Sequence, residues 1–167
     1  MTIEEIIAHL RQNIHENAII STNITALQNT IEVHAENFVA ICEALKPLYF
    51  DQLACITGLD FLKENCIELV YNFYAITQNI GIAIKVKLAR NDENNANYLP
   101  IMPTLSHLWG TANWQEREIY DLLGVNFIGH SDLRRILMPA DWEGYPLRKD
   151  YIAQEKYHGI GVKYEKE

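Results

Sequence analysis

The sequence predicts an α+β fold: a mainly antiparallel sheet with helices packed on one face, followed by a further helix and an extended C-terminal arm. Three observations carry that expectation. Residues 67–73 and 80–88 alternate apolar and polar side chains, and period two with one polar side marks a sheet half open to water or to a partner. Apolar residues at helical spacing come before them, at Ile3, Ile6, Ile7 and Leu10 and again at Phe38, Ile41, Cys42 and Leu45. Past Gly124 both periodicities stop, while aromatics, arginines and prolines accumulate.

Taken in order, Thr2-x-x-Glu5 is a capping box that opens the first helix, the hydroxyl and the carboxylate each satisfying an otherwise orphan amide. Residues 18–21 and 30–33 read as short strands around a polar turn at 23–29. A second helix spans 36–45, and Pro47 stops it because proline has no amide hydrogen to continue the ladder. Strands come next at 53–58, at 67–73 with Ile67, Leu69, Tyr71 and Phe73 on one side, and at 80–88 with Lys85 and Lys87 opposite the apolar row. The short gap at 75–79 favours an antiparallel hairpin. Residues 91–97 form a polar turn or mobile loop. Pro100 and Pro103 bracket an extended passage, and 104–109 has the length of one helical turn. Asn113 is expected to cap the next helix, with Glu116 three places on and Gly124 closing its far end. The chain thus divides into a sheet domain (1–99), a proline-bracketed connector with an anchoring helix (100–124) and an extended partner-binding arm (125–167).

At 167 residues there is enough chain for one domain with a real core, burying about two-thirds of its unfolded surface. The 49% apolar and 22% charged fractions are those of an ordinary globular protein. A net charge of −8 argues against nucleic-acid binding, which needs clustered Lys and Arg. The acidic surplus sits in residues 1–124, with 15 acids and 7 bases, whereas 125–167 carries 7 of each. A balanced, aromatic, arginine-bearing segment suits a protein interface better than a solvated tail. No run reaches the roughly 20 apolar residues of a membrane helix. The acidic opening Thr2-Ile3-Glu4-Glu5 is unlike a secretory signal, so a cytosolic chain, or one held at a membrane through partners, is expected. Cys42, Cys55 and Cys66 form no Cys-x-x-Cys pair, which removes the usual spacings of iron–sulfur and structural zinc sites and leaves reduced core thiols as the reading.

Catalytic groupings are sparse. Glu116 and Glu118 diverge by about 200° on a helix and cannot work as a close acid–base pair. Arg117 and Asp121, four apart, can pair, and Glu118 with Asp121 could clamp an arginine from Arg134, from Arg135 or from another chain. His130 with Asp132 is too small a set for a metal site, and a hydrogen-bonded loop histidine is the plainer reading. Ser131 lacks nucleophile-elbow glycines, and Gly159-Ile160-Gly161 lacks the third glycine of a dinucleotide loop. Trp109 and Trp114 read as core. Trp142, Tyr145, Arg148 and Tyr151, in a stretch that proline and Gly144 keep from packing on its own, read as interface residues.

Here a family comes into view. Glu116-Arg117-Glu118-x-x-Asp121-Leu122-Leu123, followed after six residues by His130-x-x-x-Arg134-x-Ile136-Leu137, resembles the signature of the thirty-kilodalton (C) subunit of respiratory NADH:quinone oxidoreductase, complex I. The continuation Met138-Pro139-x-Asp141-Trp142-Glu143-Gly144-x-Pro146-Leu147-Arg148-Lys149-Asp150-Tyr151 resembles the same family, so the likeness is close over 100–151 and general over 1–99. The resemblance implies a non-catalytic member of the peripheral arm, bound to the forty-nine-kilodalton (D) subunit near the quinone end of the electron relay. It implies no cofactor in this chain, with flavin, iron–sulfur clusters and quinone held by other subunits, and a peripheral position on the cytoplasmic side of the inner (plasma) membrane of a bacterium. Glu116, Arg117, Glu118, Asp121, His130, Arg134, Arg135, Trp142, Tyr145, Arg148 and Tyr151 would form the signature and partner interface. The likeness extends to the equivalent subunit of membrane-bound hydrogenases and photosynthetic NDH complexes. A rival from another class is a stand-alone enzyme using Glu118, Asp121 and His130 in a cleft. On the scaffold reading, the free chain is expected to be nicked easily by proteases beyond about Val125.

Overall fold

A computed structural model describes residues 2–162 except His15, Ala26, Leu27, Glu93, Asn94, Ala96 and Asn97. Its centre is a five-stranded sheet. After helix α1 (Ile3–Asn13) come β1 (Ile19–Ile24), β2 (Asn29–Val33), α2 (Phe38–Leu45), β3 (Gln52–Phe61), β4 (Cys66–Ala75) and β5 (Ile80–Ala89), with strand order β1-β2-β5-β4-β3. All neighbours are antiparallel except β2 and β5. The predicted fold class is therefore the observed one.

The capping box forms as read: the Glu5 amide donates to Thr2 Oγ1, and the Thr2 amide donates to Glu5 Oε2 at 2.8 Å. Helix α2 begins two residues later than expected, preceded by a 3₁₀ turn at Ala35–Asn37. Pro47 sits in a further 3₁₀ turn, Lys46–Leu48, which closes on Tyr49 at φ 63°. The β3–β4 and β4–β5 hairpins close in the same way, with Asn65 at φ 48° and Asn79 at φ 54°. Asparagine tolerates this left-handed region better than most residues. Of the predicted 23–29 and 91–97 turns, Ala26, Leu27, Glu93, Asn94, Ala96 and Asn97 lie outside the described residues.

Helices cover one face of the sheet. Phe38 of α2 packs on Tyr71 of β4 at 4.5 Å between ring centroids, and Trp109 packs on Phe73 at 4.8 Å. The other face carries the ion pairs Lys85–Glu68, whose carboxylate is buried, and Lys87–Glu32. In β3 the pairing jumps from Leu53↔Phe73 to Cys55↔Asn72, so Ala54 is a bulge. That extra residue puts Leu53 and Ile56, three apart, on the same buried side.

Past β5, β6 (Ile101–Pro103) pairs in parallel with β7 (Asn126–Ile128), and between them lie a turn and helix α3 (Ala112–Leu123). The expected turn at 104–109 is closed by Leu108 and Trp109 amides donating to the Leu105 carbonyl. Asn113 does not cap α3: the helix starts at Ala112 after Thr111, with no side-chain cap, and Glu116 turns into the core. Thr111 Oγ1 instead donates to the Leu53 carbonyl and Gln115 Oε1 accepts from the Ile56 amide, so α3 covers the edge strand β3. Gly58 permits that approach, since a Cβ there would lie 2.3 Å from Leu123 Cδ1. Gly124, at φ 73°, ends α3 as predicted.

Several smaller expectations fail. Val125 and Phe127 are buried in the core, so the stretch beyond Gly124 is not an arm from its first residue. A two-stranded hairpin, β8 (Lys156–Tyr157) and β9 (Ile160–Gly161), stands near the end. Trp109 is core, but Trp114 is 64% exposed because it faces away from the stripe Ala112, Glu116, Ile119 and Leu123 that α3 buries. All three cysteines are free thiols, yet only Cys42 is buried.

Candidate functional site

The segment after β7 runs back over the C-terminal end of α3, and the reason is chemical. The last carbonyls of a helix have no partner within it and carry the negative end of its dipole. Here the arm supplies the donors. Arg135 Nη1 donates to the Asp121 carbonyl at 2.9 Å, the Leu147 amide to the Leu122 carbonyl at 3.0 Å and Arg148 Nε to the Leu123 carbonyl at 2.7 Å.

Asp121 is the centre of this socket. It is fully buried, and its Oδ2 accepts three successive arm amides: Ile136 at 3.0 Å, Leu137 at 2.7 Å and Met138 at 2.9 Å. Its Oδ1 accepts from Arg135 Nη1 at 2.8 Å. Burial alone would raise this carboxyl, but the Met138, Leu137 and Ile136 amides and the Arg135 guanidinium outweigh it and hold the group below the usual aspartate range. Arg135 also donates to the Gly144 carbonyl at 2.9 Å. The guanidinium groups of Arg135 and Arg148 each lie over the Tyr145 ring, at 5.2 and 5.0 Å from its centroid. That ring rests on Gly124, where a Cβ would come within 2.6 Å of it.

A second anchor holds the next residues to the sheet. Arg90, 1% exposed, donates to Asp60 Oδ1 at 2.6 Å and also reaches the Asp150 carboxylate. Asp60 Oδ2 accepts the Lys149 amide at 2.7 Å. Burial opposes the charge on Arg90, and the two carboxylates overcome it, holding the guanidinium above its ordinary value. Further out, Trp142 Nε1 donates to the Tyr151 hydroxyl at 3.0 Å, while Tyr157 and His158 both bond to Asp141.

The remaining signature residues hold different places. Glu116 is fully buried; it accepts the Leu105 amide at 2.7 Å and bonds the Thr104 hydroxyl, tying the 104–109 turn to α3. Burial pushes its carboxyl up to about 7, more than the Thr104 and Leu105 bonds pull it down. His130 Nδ1 accepts the Asp132 amide at 3.0 Å, so the ring proton lies on Nε2, which faces the Asn113 carbonyl at 3.0 Å. Both ring nitrogens are thereby used. Arg117 does not pair with Asp121, which the arm occupies; it lies over the Trp114 ring, donates to the Arg134 carbonyl and sits 3.8 Å from Asp132. Glu118 is exposed and takes no part in the clamp. Arg134 is largely exposed and pairs with Asp132.

Glu118, Asp121 and His130 are thus not brought together: His130 sits at Asn113, two turns of α3 or about 12 Å of rise from Asp121. Among the described residues, no three or more His, Cys, Asp or Glu side chains are grouped to hold a metal ion. Of the two arginines the sequence offered for the clamp, the structure selects Arg135. The sequence reading missed Asp60 and Arg90, which lie 30 residues apart with no local pattern linking them. Glu116 had a signal, since it falls four after Ala112 and three before Ile119 in the buried stripe.

Residues 31–157 match the family described as the 30 Kd subunit of respiratory-chain NADH dehydrogenase, and the chain belongs to that family. It is 47% identical over 118 residues to the C subunit of NADH-quinone oxidoreductase from Chloroherpeton thalassium, covering 70% of this chain and 46% of that one. This chain therefore spans less than half of that relative's length. Among solved structures, a chain of the membrane-bound sulfane sulfur reductase, an archaeal respiratory membrane complex, matches with a TM-score of 0.74 and 25% identity over 89% of this chain and 85% of that chain. A trypsin-resistant fragment (1–134) of Nqo5 matches with a TM-score of 0.62 and 26% identity over 80% of this chain and all of that chain.

Proposed function

We propose that this chain is the C subunit of a proton-pumping NADH:quinone oxidoreductase, a scaffold that contributes no catalytic residue and holds the forty-nine-kilodalton (D) subunit near the quinone end of the electron relay. The observation that carries this reading is the two-sided arm. Its charged groups Arg135 and Arg148 turn inward, while Leu137 (62% exposed), Leu147 (54%) and Ile152 (88%) turn outward. Large apolar side chains held in water on an ordered segment offer a neighbouring chain apolar surface to bury. Flavin, iron–sulfur clusters and quinone belong, on this reading, to neighbouring subunits. Among the described residues no helix is long and apolar enough to cross a membrane, and attachment to the cytoplasmic face of a bacterial membrane would run through partners.

Co-expression with the forty-nine-kilodalton subunit tests the reading. Arg134→Ala and Trp142→Ala should each reduce the amount of that subunit recovered with this chain while leaving its melting nearly unchanged. Normal recovery with both variants would refute the anchoring role. A second reading has its own support in the fold shared with the archaeal sulfane sulfur reductase chain: an equivalent place in a related membrane-bound complex, as in the hydrogenases or photosynthetic NDH assemblies. Purifying the native complex and assaying NADH-dependent quinone reduction separates the two.

A further inference from the structure

The arm meets its own body through a set of polar contacts that a loose tail would not make. Asp121 receives three consecutive amides and a guanidinium, and the helix carbonyls from Asp121 to Leu123 each receive one arm donor. At the far end, Asp60 and Arg90 hold Lys149 and Asp150. Every one of these partners lies within this chain. Breaking them without a substitute would leave the buried Asp121 carboxylate facing no donor, and unmet buried charge is costly.

We propose that Asp121 is a positioning residue that sets the course of residues 135–148 in the free chain, so that the neighbour meets a finished surface rather than a tail that must order on contact. The inference rests on the scaffold reading above and deepens it. Arg135, Tyr145 and Arg148 build the arm and face inward, whereas Leu137, Leu147 and Ile152 are the side chains the neighbouring chain touches. Against the expectation of easy nicking beyond about Val125, it predicts that residues 135–148 resist proteases in the free chain. A preformed strap loses little freedom on docking, which favours affinity without any added contact.

Hydrogen exchange on the free, full-length chain tests this, with no partner present. In the wild type the amides of Ile136, Leu137 and Met138 should be protected, and Asp121→Asn should speed their exchange about tenfold or more, while the amides of β4 and β5 keep their rates. Wild-type amides exchanging as fast as an unstructured peptide would overturn the proposal, as would an Asp121→Asn chain that folds and leaves those rates unchanged. Should Asp121→Asn also strip protection from β4 and β5, Arg135→Ala decides instead: faster exchange at 136–138 supports the latch, and unchanged exchange refutes it. Failure to recover the forty-nine-kilodalton subunit would count against the scaffold reading alone, because the exchange is read without it.

Discussion

The sheet body and the arm of this protein are held by opposite forces. In the body, Phe38, Ile41, Leu69, Tyr71 and Ile84 are wholly removed from water, and cohesion is apolar burial spread over many side chains. In the arm, from Asp132 to Tyr151, no residue is fully buried, and order rests on a few charge-assisted hydrogen bonds to helix carbonyls and to the carboxylates of Asp121 and Asp60. Diffuse cohesion fails all at once, and pointwise cohesion fails one contact at a time. Variants should sort the same way.

The largest effect is expected where the body is densest. Phe38→Ala removes a ring packed on Tyr71 and should cost about 3–5 kcal/mol in urea unfolding, with the arm lost in the same transition. A single transition that left the arm ordered would break the comparison. Arg90→Leu attacks the joint between the regions. It leaves the Asp60 carboxylate buried and should cost about 3–5 kcal/mol, whereas the double variant Arg90→Leu/Asp60→Leu should recover much of that loss.

Acidity should move the two regions in opposite directions. Glu116, raised to about 7 in the folded chain from an ordinary 4.5, holds its proton more tightly folded than unfolded. Its contribution is fully present below pH 4.5 and is lost as pH rises to about 7, a swing on the order of 3 kcal/mol. Asp121 is lowered instead, so its contribution is present above the usual aspartate range and vanishes as pH falls through its folded value. Mild acid should therefore tighten the body, and stronger acid should free the arm. Urea midpoints between about pH 5 and 8 check the first part, and Glu116→Gln should flatten that slope. The smallest effect belongs to the open face. Lys87→Ala, which breaks an exposed pair with Glu32, should change stability by less than about 1 kcal/mol, and the difference should shrink in high salt.

The legible parts of this molecule were those with local causes. The capping box at Thr2, the hairpin at 75–79 and the helix end at Gly124 are each set by residues within a few places of one another. The arginine clamp on Asp121 was half legible, because a carboxylate on a helix next to two arginines suggests the pairing but not which arginine reaches. Glu116 misled because S/T/N-x-x-E at a helix start usually means capping, and burial of a carboxylate in an apolar stripe is the rarer outcome. The Arg90–Asp60–Asp150 anchor and the parallel β2–β5 pairing had no local cause at all.

That parallel pairing has a temporal side. Asn29 of β2 aligns with Ile82 of β5, so the hairpin made first during synthesis has to wait for some fifty further residues before its neighbour exists. Adjacent hairpins β3–β4–β5 can zip up quickly, but closing so long a span is slow. Until then the nascent N-terminal ribbon travels with one flank unclaimed, open to association with other emerging chains.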